Sequence, residues 1–207
     1  MIIDRFLDKF QFLQQNEFIL KLELAPIGDS PTSREKRVPK LFLINPATQE
    51  KLLYFDVASG WPMKHWLADM QGYPLIRMRI TSAWGKHATK VFVSCLEKDD
   101  TDDYKFDQNS PSLIGTLQRV SYNYRKGWDF LLPNGIPLFR FRPPKRPNIK
   151  GMHYLALPID DHANDFNAIA EAIGKITLWR EYNLFFTPKI DLLTRFGFLL
   201  AIGFEVR

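Results

Sequence analysis

The sequence predicts a mainly β protein, a closed antiparallel barrel that encloses a hydrophobic α-helix placed last in the chain. Three observations predict it. Short stretches with apolar and polar residues in alternation recur from residue 18 to residue 186, the period of half-buried strands. Turn chemistry built on Gly, Pro, Asn and Asp separates those stretches. The long apolar run, IDLLTRFGFLLAIGF (residues 190–204), then follows them.

The elements follow in order. Residues 1–15 carry Ile3, Phe6, Leu7, Phe10 and Leu13 at helical spacing with balanced charges between them, which predicts a helix docked on the domain rather than a basic membrane-surface helix. The period then changes to two. FILKLEL (18–24), KLFLIN (40–45) and KLLYFDV (51–57) read as strands, with the Pro-, Ser- and charge-rich residues 25–39 as a loop. WLADMQGYPLIRMRI (66–80) reads as a hairpin turning at residues 69–72, its second arm having Arg77 and Arg79 on a wet face. KVFVSCLE (90–97) is a strand and KDDTDD (98–103) a polar turn. LIGTLQRV, GWDFLL and IPLFRFR follow as strands, the last two joined by Pro133-Asn134-Gly135, a hairpin signal. RPPKRPNIKG (142–151) is too proline-rich for a central strand. DDHANDFNAIAEAI (160–173) has Phe166, Ile169, Ala170 and Ile173 at helical spacing and predicts a helix; IGKITLWRE and YNLFF are strands again. The tally is roughly ten short strands.

The terminal run decides how they assemble. A membrane span needs about 20 apolar residues, and this run carries Asp191 and Arg195 and stops at Glu205. Its nine large apolar side chains are worth on the order of 15–25 kcal/mol gross when buried. No single sheet face covers a helix on all sides. A sheet closed around it does, and closure also removes aggregation-prone edges. Gly197, Ala201 and Gly203 let strands approach the helix axis. The 207 residues therefore read as one domain: helix 1–15, barrel 17–187 and central helix 189–204.

Composition limits function without naming it. Hydrophobic residues at 45% and charged residues at 25% are globular proportions, and the net charge of +5 biases the chain mildly towards anionic partners, short of a dedicated nucleic-acid binder. A lone cysteine, Cys95, can form no internal disulfide, and Asp4, Arg5, Asp8 and Lys9 interrupt the opening residues where a secretory leader needs an apolar centre. A cytoplasmic setting is expected. The four histidines, His65, His87, His153 and His162, have no metal-binding spacing. No nucleophile elbow, phosphate loop or dinucleotide fingerprint occurs. An enzyme is not expected, nor a cofactor. The acidic Asp99, Asp100, Asp102 and Asp103 lack the Gly and distal Glu of a calcium loop, so no metal site is expected.

Several stretches share an order with a known family. FLQQNEFILKLE (12–23) looks like an opening strand with glutamine and acid, FLINPATQEKLLYFDVAS (42–59) like the hairpin after it, and LADMQGYPLIRMRI (67–80) like a hairpin with an Asp-x-x-Gly turn. IGKITLW followed by PKIDLLTRFGFLLAIGFE looks like a closing strand and terminal helix. In this order and spacing the chain resembles the phospholipid scramblases and LURP-one-related proteins, members of the tubby-like fold. The resemblance implies a barrel of about twelve strands around a central helix. It implies a role near membranes: lipid movement as in scramblases, or phosphoinositide binding as in tubby proteins. The scramblases' acidic calcium-associated loop is not matched, since REYNLFFTPKID offers only Glu181, Asn183 and Asp191 where calcium takes about six to eight oxygens. Their lipidated cysteine cluster and proline-rich leader are not matched either.

The candidate lipid- or phosphate-binding residues are two basic clusters: Arg34, Lys36, Arg37 and Lys40, and Arg140, Arg142, Lys145, Arg146 and Lys150. Cations held on proline-stiffened loops can meet lipid phosphates; the other reading is a solvated loop that aids solubility. Trp61, Trp66, Trp84 and Tyr73 lie near strand ends, where rings plug a barrel mouth or enter a membrane interface, plugging being preferred. The expected partner is an anionic phospholipid surface at the inner membrane face, with a protein partner of a soluble barrel as the alternative and nucleic acid set aside.

Overall fold

The computed structural model of the chain describes residues 6–26, 37–57, 64–82, 89–95, 112–122, 125–145, 153–159, 165–175 and 181–205. Within them run β1 (Glu17–Pro26), β2 (Arg37–Ile44), β3 (Lys51–Val57), β4 (Lys64–Asp69), β5 (Pro74–Ser82), β6 (Thr89–Cys95) and β7 (Leu113–Tyr122). β8 (Arg125–Leu131), β9 (Pro137–Arg142), β10 (His153–Leu157), β11 (Ala170–Lys175), β12 (Glu181–Phe186) and α1 (Leu192–Glu205) complete the order. Every strand pairs antiparallel with its neighbours in sequence, and β1 pairs with β12, so the 12 strands close into a barrel. The mainly β class and the closed barrel with a C-terminal helix are as the sequence predicts.

Alternation places the core. Phe18 and Leu20 of β1, Phe139 and Phe141 of β9, and Tyr182, Leu184 and Phe186 of β12 are buried and belong to one interior cluster. α1 lies within that cluster: from Thr194 to Gly203 every residue is buried. Rings reach it from separated parts of the wall. Phe198 packs edge-on against Phe141 of β9 and Phe186 of β12, with centroids 5.7 and 5.8 Å apart, and Phe204 against Trp128 of β8 at 5.1 Å. A Cβ on Gly203 would sit 2.5 Å from the Phe55 ring of β3, and one on Gly197 2.9 Å from Phe139. At the two glycines wall rings thus occupy the space that a helix side chain would need.

Two hairpins fold as their turn residues dictate. Between β4 and β5, Asp69 Oδ1 accepts the Gln71 and Tyr73 amides at 3.0 and 2.8 Å, and Gly72 takes φ +89°, where an L side chain is strained. Between β8 and β9, Asn134 Oδ1 accepts the Ile136 amide at 3.1 Å and Gly135 takes φ +82°.

Four expectations are corrected. The helix expected over 160–173 is, within the described residues, a single 3-10 turn (Asp165–Asn167) followed by β11. Ala170 and Ala172 face the core while Phe166 stands in solvent and Ile173 is exposed. Pairing on both edges, with β10 and with β12, outweighs the helix preference of alanine. β10 itself, HYLAL, is short and alternates weakly, and it is absent from the sequence tally. The opening helix is mostly 3-10 (Asp8–Gln14), with Phe10 off helical geometry at φ −111°. It does dock, burying Phe6, Phe10 and Leu13. Finally, Arg77 is buried, so the outward face of β5 is not wet there. Of the strand expected over 173–181, residues 176–180 lie outside the described residues.

Alanine at Gly203 sets about 1 kcal/mol of helix propensity against a clash with the Phe55 ring that overpacking data put at about 1–3 kcal/mol. Gly203→Ala is expected to lower stability in urea unfolding, and by more than Gly197→Ala, which meets its neighbours less closely; a stabilised Gly203→Ala variant would show that Phe55 has room to retreat.

Candidate functional site

An up-and-down barrel sorts its connections by parity, which sorts its charge. Connections after odd-numbered strands lie at one end, where α1 also finishes. Within two residues of the strand ends there stand Arg37, Lys64, Lys90, Arg125, Lys126 and Lys175, and Lys145 lies just beyond β9. The acids at comparable positions are Asp56, Glu181 and Glu205. Two of these are engaged: Glu181 with Lys175 at 2.7 Å, and Glu205 with the Trp128 indole at 2.8 Å. Around the opposite end the described acids are Asp8, Glu17, Glu50, Asp69 and Asp191, against Lys9, Lys51, Lys189 and the buried Arg195. Among the described residues the barrel therefore has a basic end and a more acidic one.

Of the sequence-predicted cations, Arg34, Lys36, Arg146 and Lys150 lie outside the described residues. Arg37 opens β2 at the basic end. Lys40, further along β2, holds its ammonium 4.0 Å above the Tyr54 ring. Arg140 grips Asp129 through two bonds, Nε to Oδ1 at 2.7 Å and Nη2 to Oδ2 at 2.8 Å. Arg142 is only 4% exposed; its Nη2 donates to Asp165 Oδ1 at 2.7 Å and its Nη1 to the Pro143 carbonyl at 2.9 Å. Lys145 is exposed, and its backbone amide donates to Asp165 Oδ2 at 2.6 Å. Thus Arg140 and Arg142 support the outer wall, while Arg37 and Lys145 stand at the basic end.

Asp165 is the residue that joins these parts. Burial pushes its carboxyl pKa up, but the Lys145 amide and the Arg142 guanidinium together outweigh that and hold it below the ordinary carboxylate value. The sequence hides this role, because Asp165 is far from Arg142 in the chain and sits in a stretch that reads as helix.

The other end is closed by residues the sequence names only as a docked helix. Phe10 packs tilted and Phe6 edge-on against Phe196 of α1, with centroids 4.7 and 5.6 Å apart. Arg195, buried one turn into α1, then ties the segment down. Its Nη1 donates to the carbonyls of Leu13, Gln14 and Gln15 at 3.0, 3.2 and 2.6 Å. Its Nη2 donates to Asn16 Oδ1 and the Thr187 carbonyl at 3.0 and 3.1 Å, and its Nε to Ile190 at 3.3 Å. Burial pushes the guanidinium pKa down and the Asp191 charge opposes that; an arginine stays cationic regardless. Asp191 caps α1, accepting from the Thr194 amide at 2.9 Å and the Thr194 hydroxyl at 2.7 Å.

The remaining candidates disperse. Glu181 and Asp191 lie at opposite barrel ends, so with Asn183 they do not converge on one ion, and among the described residues no three His, Cys, Asp or Glu are grouped to hold a metal. Tyr73 does not plug the mouth: it is 65% exposed on the β4–β5 turn. Trp61 and Trp84 lie outside the described residues, as do Asp99, Asp100, Asp102, Asp103, His87 and His162, and Trp66 and His65 are described in backbone only. His153 contacts Glu171 at 2.5 Å on the outer wall, and Cys95 is buried with Sγ 3.4 Å from the Ser112 carbonyl. Among the described residues no helix is long and apolar enough to cross a membrane. Compared with models of known protein families and with curated protein sequences, the chain matches none.

Replacing Arg195 by methionine strands several buried carbonyls, each costing about 1–3 kcal/mol when unsatisfied. A loss of about 3 kcal/mol or more in urea unfolding is expected, with Arg195→Lys recovering only part because a compact ammonium cannot span the same acceptors. Unchanged stability in Arg195→Met would mean that water replaces the guanidinium. For Asp165, whose folded pKa lies below its ordinary 3.8, the stabilising contribution is complete above that value and is lost as pH falls through the lowered folded one. Hydrogen exchange of the Lys145 amide is therefore expected to be slow at neutral pH and to lose its protection in strong acid, after correction for intrinsic rates; protection already lost near pH 5 would contradict the assignment.

Proposed function

We propose that this chain is a scramblase-like, LURP-one-related barrel whose work is binding rather than catalysis, and that it docks its basic end on anionic phospholipid at the cytoplasmic face of a membrane. The observation that carries the reading is the sorting of charge by strand parity: Arg37, Lys64, Lys90, Arg125, Lys126 and Lys145 converge at one barrel end from five different strands and connections. Each cation near an anionic leaflet contributes about 1 kcal/mol, and the sum is screened by salt. The enclosed helix argues for binding over lipid movement. α1 is dry from Thr194 to Gly203 and is tied to the opening segment through Arg195; entering a bilayer would require emptying the barrel.

A second reading, a soluble barrel that binds a protein, draws on Arg140 and Arg142. Their ion pairs with Asp129 and Asp165 match two of the cations first assigned to lipid.

Co-sedimentation separates the two. The lipid reading expects binding to vesicles containing phosphatidylserine, little binding to phosphatidylcholine alone, and loss of binding in high salt. Neutralising both Arg125 and Lys126 to glutamine is expected to weaken binding roughly thirtyfold, two contributions of about 1 kcal/mol each. Recovery of a stoichiometric protein partner without any vesicle affinity favours the second reading and overturns the first.

A further inference from the structure

Phe166 is 97% exposed, an unusual position for a large aromatic ring whose transfer out of water is favourable. The turn that carries it is nonetheless held in place. Phe166 sits in the middle of the 3-10 turn Asp165–Asn167. On one side the Asp165 carboxylate clasps Arg142 Nη2 at 2.7 Å and the Lys145 amide at 2.6 Å. On the other side the Ile169 amide donates to the Ala156 carbonyl at 2.8 Å, and the Ile169 carbonyl accepts the Thr187 amide at 3.1 Å. A turn tied on both sides presents its apolar tip without the ordering cost of a free loop. The first clasp also fixes where the tip stands: beside the exit of β9, next to exposed Lys145, on the flank of the basic end.

We propose that Phe166 is a membrane wedge, its ring entering the boundary between headgroups and acyl chains of an anionic bilayer while Lys145 meets the phosphates. This rests on the lipid reading above and goes further by naming the side chain that inserts. The argument for a bilayer rather than a protein pocket is charge complementarity. An apolar ring carried next to exposed Lys145, with the Asp165 charge already answered by buried Arg142, matches an interface that is greasy below and anionic above, and the other cations of the basic end add to the same attraction. Asp165 acts as a positioning residue, because its bonds to Arg142 and Lys145 set the height and direction of the turn.

The test uses the full chain and vesicles of phosphatidylcholine with about one-third phosphatidylserine. Phe166→Ala is expected to weaken binding about tenfold, whereas Phe166→Leu stays close to wild type. The salt dependence of binding is expected to be the same in both, since no charge is removed. An environment-sensitive fluorophore on Phe166→Cys, in a Cys95→Ala background, is expected to shift to the blue on these vesicles and not on phosphatidylcholine alone. Because the ring is exposed, the urea midpoint of Phe166→Ala is expected to match wild type, which separates lost insertion from lost folding. Wild-type binding that Phe166→Ala leaves untouched, with no spectral shift, overturns the wedge and leaves the lipid reading standing. Absence of wild-type binding overturns both, and a protein partner whose capture depends on Phe166 reassigns the ring to a protein pocket.

Discussion

A helix that must be dry on every side is the constraint from which the rest of this architecture follows. α1 offers no polar face for solvent between Thr194 and Gly203, so packing on one side of an open sheet would leave apolar surface in water. Closing the sheet covers it, and the wall fills the space with rings: Phe55, Phe130, Phe139, Phe141 and Phe186 all belong to the interior cluster. Rings of that size fit because Gly197 and Gly203 withdraw the helix surface where they approach. Large residues on the wall and small ones on the helix form one interdigitated layer, as close packing of protein interiors requires.

Enclosure creates a second problem, which Arg195 resolves. A helix entering a barrel brings its first turn and the adjoining chain ends into a place with little water, where backbone carbonyls still need donors. One guanidinium supplies them to Leu13, Gln14, Gln15, Thr187 and Ile190. Its planar fork reaches the segments just before β1 and just after β12, which are neighbours because those two strands close the barrel. The cation in the apolar run thus joins the segment before β1 to the segment that enters α1, and the phenylalanines of the opening segment pack over Phe196 beside it.

Strand parity then gives those ends different character. The meander alternates the direction of the chain at every turn, so residues scattered along the sequence gather at one end or the other according to the strand they adjoin. Arg37 and Lys145 are far apart in the chain and meet at the same rim. Arg140 and Arg142 belong to the same run as Lys145 but point into ion pairs on the outer wall, because alternation along β9 sends Phe139 and Phe141 inward and the arginines outward, where Asp129 and Asp165 meet them.

Periodicity, turn residues and the terminal apolar run were sufficient for the fold class, for most strands and for the two hairpins at Gly72 and Gly135, since each depends on chemistry within a few neighbouring residues. The stretch around Ala170 misled for the opposite reason: alanine suits a helix locally, and only edges offered by β10 and β12 make it a strand. HYLAL was too short to announce itself. For the site, Lys145 and Arg37 were legible as cations on loops or strand ends, but their common end was not, because that depends on how many strands intervene. The bonds of Asp165 and Arg195, and the exposure of Phe166, came from the tertiary structure alone. Each depends on partners many residues away, and a sequence records what a side chain can do but not which distant carbonyl, carboxylate or surface the closed barrel brings to it.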